Sequence, residues 1–394
     1  MVRSMEARTY NERLRRLQEE GLYRQMRVLA SGAGVRVTVD GQEKTVFCSN
    51  NYLGLAGHRQ VTAAVKAGLD AWGFGSGASR LVCGTMEVHE RLERHLAARW
   101  AKQRCLVFPT GFMANYALLS TLPEKGDLII LDKLAHASII EGARASAATV
   151  RTFGHRQTEK LERLLDRGGF GRAYIVTDSL FSMDGDRARL AELAALKRRF
   201  DAVLIVDEAH AFGCIGPDGN GCAADQGVLD DVDILVATFS KALGGAGGFV
   251  AGSSEMIELL VNQARGFIYT TAIPPVHCLA AQAALEVLDA HPQRRERLLT
   301  NGDYFREQCD RLGLDTGLSE SYIVPIILGS PQQATAASEQ LWRHGLMIPA
   351  IRPPTVAPGA SRLRISLTSD HTQKDINRLC QTLEKILPLK EHTK

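Results

Sequence analysis

The sequence lacks any run of about 18 apolar residues, the least a membrane-spanning helix needs, so no membrane contact is expected. Residues 1–26 are dense in arginine and glutamate and lack the apolar core of a secretory signal, which points to a cytoplasmic protein. Charge of one sign is missing too. Forty-seven Lys and Arg face 44 Asp and Glu, a net +3 with the signs mixed along the chain, so nothing implies nucleic acid. The eight cysteines form no Cys-x-x-Cys pair and no Cys/His spacing typical of zinc; they read as reduced packing residues, and no metal is expected. Hydrophobic residues at 45% and charged residues at 23% are ordinary values, which excludes a disordered or fibrous chain. Glycine is what the chain has in excess. Its 36 residues mark either loose loops or close approach of backbone to a ligand.

Periodicity predicts an amphipathic helix over 11–26 and an extended segment at Val35–Val39 before a turn at Asp40–Gly41. From residue 90 onward helices alternate with short apolar strands at Cys105–Phe108, Leu128–Leu131, Thr149–Phe153, Ala173–Thr177, Val203–Val206, Ile234–Ala237 and Gly248–Ala251. Apolar strands without polar alternation, separated by helices, indicate a mainly parallel α/β sheet covered on both faces. After the helix Pro275–Ala290 the pattern becomes shorter and mixed. The expected division is an N-terminal arm over 1–48, a large domain over 49–290 and a small α+β domain over 291–394.

Asp207-Glu208-Ala209-His210 matches the DEAH box of helicases in letters only, because no Gly-x4-Gly-Lys-Ser/Thr phosphate loop exists in the chain. An acid and an imidazole at the carboxyl end of a parallel strand nevertheless lie where open α/β sheets bind ligands; the bland alternative is an acidic strand end without chemistry. Gly73-Phe74-Gly75-Ser76-Gly77 lacks dinucleotide-loop spacing and reads more simply as turn glycines. Thr110-Gly111-Phe112 falls between a strand and a helix, where free N–H groups can hold phosphate. The sharpest signal is Thr238-Phe239-Ser240-Lys241-Ala242-Leu243-Gly244-Gly245. A lysine after a buried strand, flanked by hydroxyls and glycines, can act as a Schiff-base nucleophile beside a phosphate cradle. With Asp207 to protonate a pyridine nitrogen, these groups read as a pyridoxal phosphate (PLP) site.

On these residues the chain resembles the α-oxoamine synthase family of fold-type I PLP enzymes. The resemblance covers nearly the whole length: Ser49–Leu55, Gly75–Arg80, His136-Ala137-Ser138 after Asp132, Ser182–Asp186, Asp207–His210 and Thr238–Lys241. It implies a seven-stranded, mainly parallel sheet between helices, a small C-terminal domain and PLP bound covalently to Lys241 as an internal aldimine. It also makes Lys241 the catalytic base, pairs Asp207 with the ring nitrogen, stacks His136 on the ring and sets His210 on the ring oxygen. Gly111, Phe112, Ser182 and Thr238 are implied cofactor contacts. Thr270 and Thr271 are implied to reach the neighbouring subunit's phosphate, which requires a homodimer. Arg24, Arg352, Thr355 and Arg364 are implied partners of substrate carboxylates, a task suited to the guanidinium fork. Members join different amino acids and acyl thioesters. Phe267–Pro275 and Ala350–Val356 resemble those that join L-alanine to pimeloyl-CoA or pimeloyl-acyl carrier protein on the way to biotin.

Rivals are a synthase that takes glycine or serine with another acyl group, and a non-catalytic subunit that keeps the fold. A panel of amino acids and acyl donors separates the first. The joint presence of Lys241, Asp207, His136 and His210 weighs against the second. The sequence departs from the family pattern at Ala211-Phe212-Gly213, where smaller and hydroxylic residues are expected; a Phe212 in the acyl channel would alter chain-length preference.

Overall fold

A computed structural model describes residues 9–387; residues 1–8 of the expected arm and 388–394 of the expected C-terminal domain lie outside the described residues. The seven expected apolar segments all form strands: β1 (Arg104–Phe108), β2 (Leu128–Asp132), β3 (Thr149–Phe153), β4 (Ala173–Asp178), β5 (Val203–Asp207), β6 (Ile234–Thr238) and β7 (Gly248–Gly252). They make one sheet in the order β1-β7-β6-β5-β4-β2-β3. β7 runs antiparallel to both neighbours, and the pairings from β6 to β3 are parallel.

Two-residue periodicity divides each central strand between two cores. Ile130, Ile175, Leu204, Val206 and Leu235 face one apolar cluster, and Ile129, Val176, Ile205, Ile234 and Val236 face the other. Both faces are therefore covered by helices, and each buried Ile, Leu or Val contributes roughly 1.5–3 kcal/mol. Edge strand β3 is the exception: Thr149, Arg151 and Thr152 are exposed, a polar edge that discourages pairing with other chains.

The C-terminal residues form the antiparallel sheet Ile323–Gly329, Ser361–Ser366 and Ala350–Ile351, with the helices Gln293–Arg311, Pro331–Arg343 and Gln373–Ile386. Asp40 and Gly41 both take positive φ and turn Arg36–Val39 back on Gln42–Val46, which then pairs in parallel with Leu346–Met347. The N-terminal helix is shorter than expected. It spans Tyr10–Glu19 and stops because Gly21 adopts φ +66, a left-handed conformation that ends a helix. Among the described residues no helix is long and apolar enough to cross a membrane.

Candidate active site

Parallel strands end at the same edge of the sheet. Asp178 closes β4, Asp207 closes β5 and Thr238 closes β6, and Lys241 follows three residues later. Asp178 and Asp207 are direct register partners. A cavity of about 230 Å³ opens there, with Lys241, Asp207, His136, Thr238, Gly111 and Phe112 among its walls.

Burial pushes the Lys241 amine down to about 8, against the opposing pull of Asp207 and Asp178. Asp207 is 5% exposed, and its two oxygens take separate donors: Ala209 N to Oδ1 at 2.7 Å and Asn115 Nδ2 to Oδ2 at 2.6 Å. Burial, and then the charge of Asp207, hold the Asp178 carboxyl well above the usual range, while the backbone N–H of His136 donates to Asp178 Oδ2 at 2.9 Å. His136 caps the helix Ala137–Arg144, its Nδ1 accepting from Ser138 N at 3.2 Å. His136 is an exposed residue at the wall of the cavity, and partial desolvation there lowers the pKa of its ring.

The opposite wall is a helix N-terminus. Thr110 Oγ1 accepts from Met113 N at 3.0 Å and caps the helix Gly111–Leu119. Gly111, the first residue of that helix, lies against Thr238, whose Oγ1 lies 2.8 Å from Ser240 Oγ. Glycine is required at this approach. A Cβ on Gly248 would come within 2.5 Å of Gly111 Cα, and one on Gly111 within 3.1 Å of Thr238 Cβ. An amine for an aldehyde, a carboxylate for a protonated ring nitrogen and an N–H-rich cradle for phosphate thus share one cavity, a donor set that fits PLP.

The remaining candidates lie around this centre rather than in its walls. His210 is buried; its Nδ1 lies 2.8 Å from Tyr52 Oη, and burial, Lys241 and Arg364 keep its pKa well below the ordinary value. Arg364 is buried too, donating to Ser182 O at 2.6 Å, Ser366 Oγ at 2.8 Å and Asn50 Oδ1 at 3.2 Å. Ser182 meets this network through its backbone carbonyl. Arg352 donates to the Gly21 carbonyl and Arg24 to Thr355 Oγ1 at 3.5 Å, so these three candidates gather where the N-terminal segment meets 352–355. Burial and the charge of Arg24 lower the pKa of Arg352. Thr270 and Thr271 sit apart, next to the isolated pairing of Ser79 with Thr271.

Three sequence features resolve differently. Gly73 and Gly77 have positive φ, and Ser76 Oγ donates to Ile273 O at 2.8 Å; this loop is an exposed turn outside the cavity, anchored by the buried Ser76. Glu208 turns away from Asp207 and accepts from Ser179 Oγ at 2.5 Å, Cys222 N at 2.9 Å and Ala223 N at 2.7 Å, while burial still pushes it up to about 7. Phe212 is 2% exposed and packs on Trp100 and Phe249 at 5.0 and 5.3 Å between ring centroids, so it belongs to the core and not to a channel. Asn115 and Asp178 are cavity residues that sequence motifs do not reveal.

The sheet order and a lysine, an aspartate and a histidine at its carboxyl edge define a fold-type I PLP enzyme. The chain belongs to the aminotransferase class I and II family, whose model matches residues 42–383. The chain is 44% identical over 381 residues to 8-amino-7-oxononanoate synthase of Citrifermentans bemidjiense, covering 96% of this chain and 98% of that protein. It is 41% identical to 8-amino-7-oxononanoate synthase 2 of Bacillus subtilis, covering 95% and 96%. Among solved structures, Sphingomonas wittichii serine palmitoyltransferase has a TM-score of 0.90 at 31% identity, covering 95% of each chain. 8-Amino-7-oxononanoate synthase of Francisella tularensis has a TM-score of 0.77 at 32% identity, covering 87% of this chain and 97% of that one.

Proposed function

We propose that this protein condenses L-alanine with a pimeloyl thioester, releasing CO2 and free thiol to give 8-amino-7-oxononanoate for biotin synthesis, with PLP as cofactor. The supporting observation is the single cavity that joins Lys241, Asp207, His136 and the Gly111 helix end, in a chain 44% identical to a protein of that name. When bound, PLP supplies an electron sink for negative charge at the amino-acid Cα.

The protein's own groups do the rest. Lys241 Nζ would hold the cofactor covalently, and its neutral amine would serve as the base for the Cα proton; a pKa lowered to about 8 suits that exchange. Asp207 would hold the proton of the ring nitrogen. His136 would lie against the ring and offer its ring N–H to the substrate, and His210 would serve the ring oxygen. Gly111, Phe112, Thr238 and Ser182 would hold the phosphate and ring edge. Arg24, Arg352, Thr355 and Arg364 bind the two substrate carboxylates. Thr270 and Thr271 complete the phosphate site of a second subunit, so the working form is a homodimer, placed in the cytoplasm.

The likeness to serine palmitoyltransferase supports a second reading, with serine and a longer acyl chain. One experiment tests both. Purified protein is given alanine, glycine or serine with pimeloyl-CoA, pimeloyl-acyl carrier protein, acetyl-CoA or palmitoyl-CoA, and thiol and CO2 release are followed. Alanine with a pimeloyl donor is expected to give the highest kcat/KM; a preference for serine with palmitoyl-CoA would overturn the first reading.

A further inference from the structure

We propose that Asn115 is a positioning residue, binding the Asp207 carboxylate and the His136 ring into one rigid unit. The inference rests on the reading of this cavity as a PLP site.

Asn115 lies on the helix Gly111–Leu119, one turn beyond its N-terminal end, and is 2% exposed. Its two amide hydrogens have different partners. Nδ2 donates to Asp207 Oδ2 at 2.6 Å and to Ser138 Oγ at 3.0 Å. Having accepted that bond, the Ser138 hydroxyl turns its own proton to His136 Nδ1, 2.7 Å away, which also accepts from Ser138 N at 3.2 Å. His136 Nδ1 is thereby an acceptor on both counts. With the ring neutral, its proton sits on Nε2, the nitrogen left for the cavity.

The amide cannot be turned over. Reversed, Oδ1 would face the Asp207 carboxylate with no proton between them. The present orientation leaves Asn115 Oδ1 buried without a hydrogen-bond partner. Leaving a buried acceptor unpaired is costly, and such a group persists where its neighbours dictate the arrangement. Ala209 N, the donor to Asp207 Oδ1, is a backbone group of the turn that follows β5. Asn115 comes from a different element, so it couples the orientation of Asp207 to the helix that carries the phosphate cradle and, through Ser138, to His136.

The test uses holoenzyme of wild type, Asn115→Leu, Asn115→Asp and Ser138→Ala. Three properties are measured: PLP affinity, the 15N resonance of the bound ring nitrogen, and the 15N pair of His136, assigned by its loss in His136→Gln. Asn115→Leu is expected to weaken PLP about tenfold or more, the range for losing a charge-assisted hydrogen bond, and to move the ring-nitrogen resonance towards the unprotonated position. Ser138→Ala is expected to leave affinity within about threefold while His136 loses its fixed Nε2–H signature. A merely structural asparagine would move neither resonance. Should Asn115→Leu fail to fold, Asn115→Asp decides the matter. Its carboxyl can donate to Asp207 only when protonated, so the ring-nitrogen signal acquires a pH dependence near neutrality that wild type lacks. Wild-type affinity with unchanged resonances in Asn115→Leu, or a flat profile in Asn115→Asp, overturns the inference and leaves the functional reading standing. Wild-type protein that binds no PLP would sink both.

Discussion

Lys241 stands three residues past the end of β6, and its environment pulls two ways: burial disfavours the ammonium, and the carboxyl groups of Asp207 and Asp178 favour it. Burial wins, and the amine falls to about 8. Only the neutral amine attacks an aldehyde, so the rate at which PLP-free protein captures the cofactor should climb through about pH 8 and then level off. Asp207→Asn removes a group that favours the ammonium and should move that midpoint to lower pH. Lys241→Ala should lose both the absorption band of lysine-bound cofactor and turnover. Stopped-flow capture across pH checks the first two, and full activity of Lys241→Ala would refute the assignment. Lys241 and Asp207 stand out in the sequence because each ends or follows an apolar strand in company, Lys241 between hydroxyls and glycines and Asp207 with His210 three residues on. Asn115 and Asp178 do not, for a physical reason. Asn115 sits inside an apolar helix, and Asp178 simply ends a buried strand; their meaning comes from the pairing of Asp178 with Asp207 and from a helix approach that no local pattern encodes.

At the level of elements, the loops that carry the site are pinned by a buried ion triplet. His155, just after β3, bonds Asp132 Oδ2 at 3.1 Å through Nδ1 and Asp186 Oδ2 at 2.7 Å through Nε2, and its ring meets Phe181 edge-on at 4.3 Å. Asp132 begins the loop that leads to His136, and Asp186 ends the Ser182–Asp186 turn, so one imidazolium joins both. Burial alone would lower the pKa of His155, but the two carboxylates override it and raise it to about 9, above its ordinary 6.5. The folded state therefore holds this proton more tightly than the unfolded chain. The clamp contributes in full below 6.5 and is lost as pH rises through about 9. His155→Leu leaves Asp132 to the Leu134 N–H at 2.8 Å and Asp186 to Arg156 at 3.7 Å, and should cost ~3 kcal/mol at pH 7, the scale for breaking a buried pair. Urea denaturation from pH 6 to 10 measures this. Wild type should lose stability towards the alkaline end and the variant should not; parallel curves would refute the clamp. The same scale shows why the helix Arg59–Trp72 is hard to read from sequence. Val61, Ala64, Val65 and Trp72 line its packing face at helical spacing, but Gly68 interrupts that stripe, so close to Leu279 that a Cβ would meet Cδ1 at 2.3 Å.

For the whole molecule, the sheet was legible because its central strands are buried on both faces, which leaves uninterrupted apolar runs between helices. The second strand of the N-terminal hairpin, Gln42–Val46, was not, since Gln, Glu and Lys carry no strand signal and one of its two partners lies some 300 residues away at Leu346–Met347. A larger relation is also invisible to local pattern. Phe74, Leu81, Val82 and Tyr269 are 70%, 52%, 78% and 71% exposed. The Ser79–Thr271 pairing and the bond from Ala272 N to Ala78 O at 3.0 Å tie their two segments into one surface, which also carries Thr270 and Thr271. We propose that a second copy covers these apolar side chains and brings these threonines to the partner's phosphate cradle. Sedimentation should then give twice the chain mass of 43.0 kDa, and Leu81→Asp with Val82→Asp should give inactive monomer. A complementation assay tests the shared site directly. Lys241→Ala and the double variant Thr270→Ala, Thr271→Ala should each turn over poorly alone. Co-expressed, they form mixed dimers in which one site keeps both Lys241 and the partner's threonines, restoring up to about a quarter of wild-type turnover at statistical pairing. Mixed dimers that are isolated intact and recover no turnover would show that each subunit's site is its own.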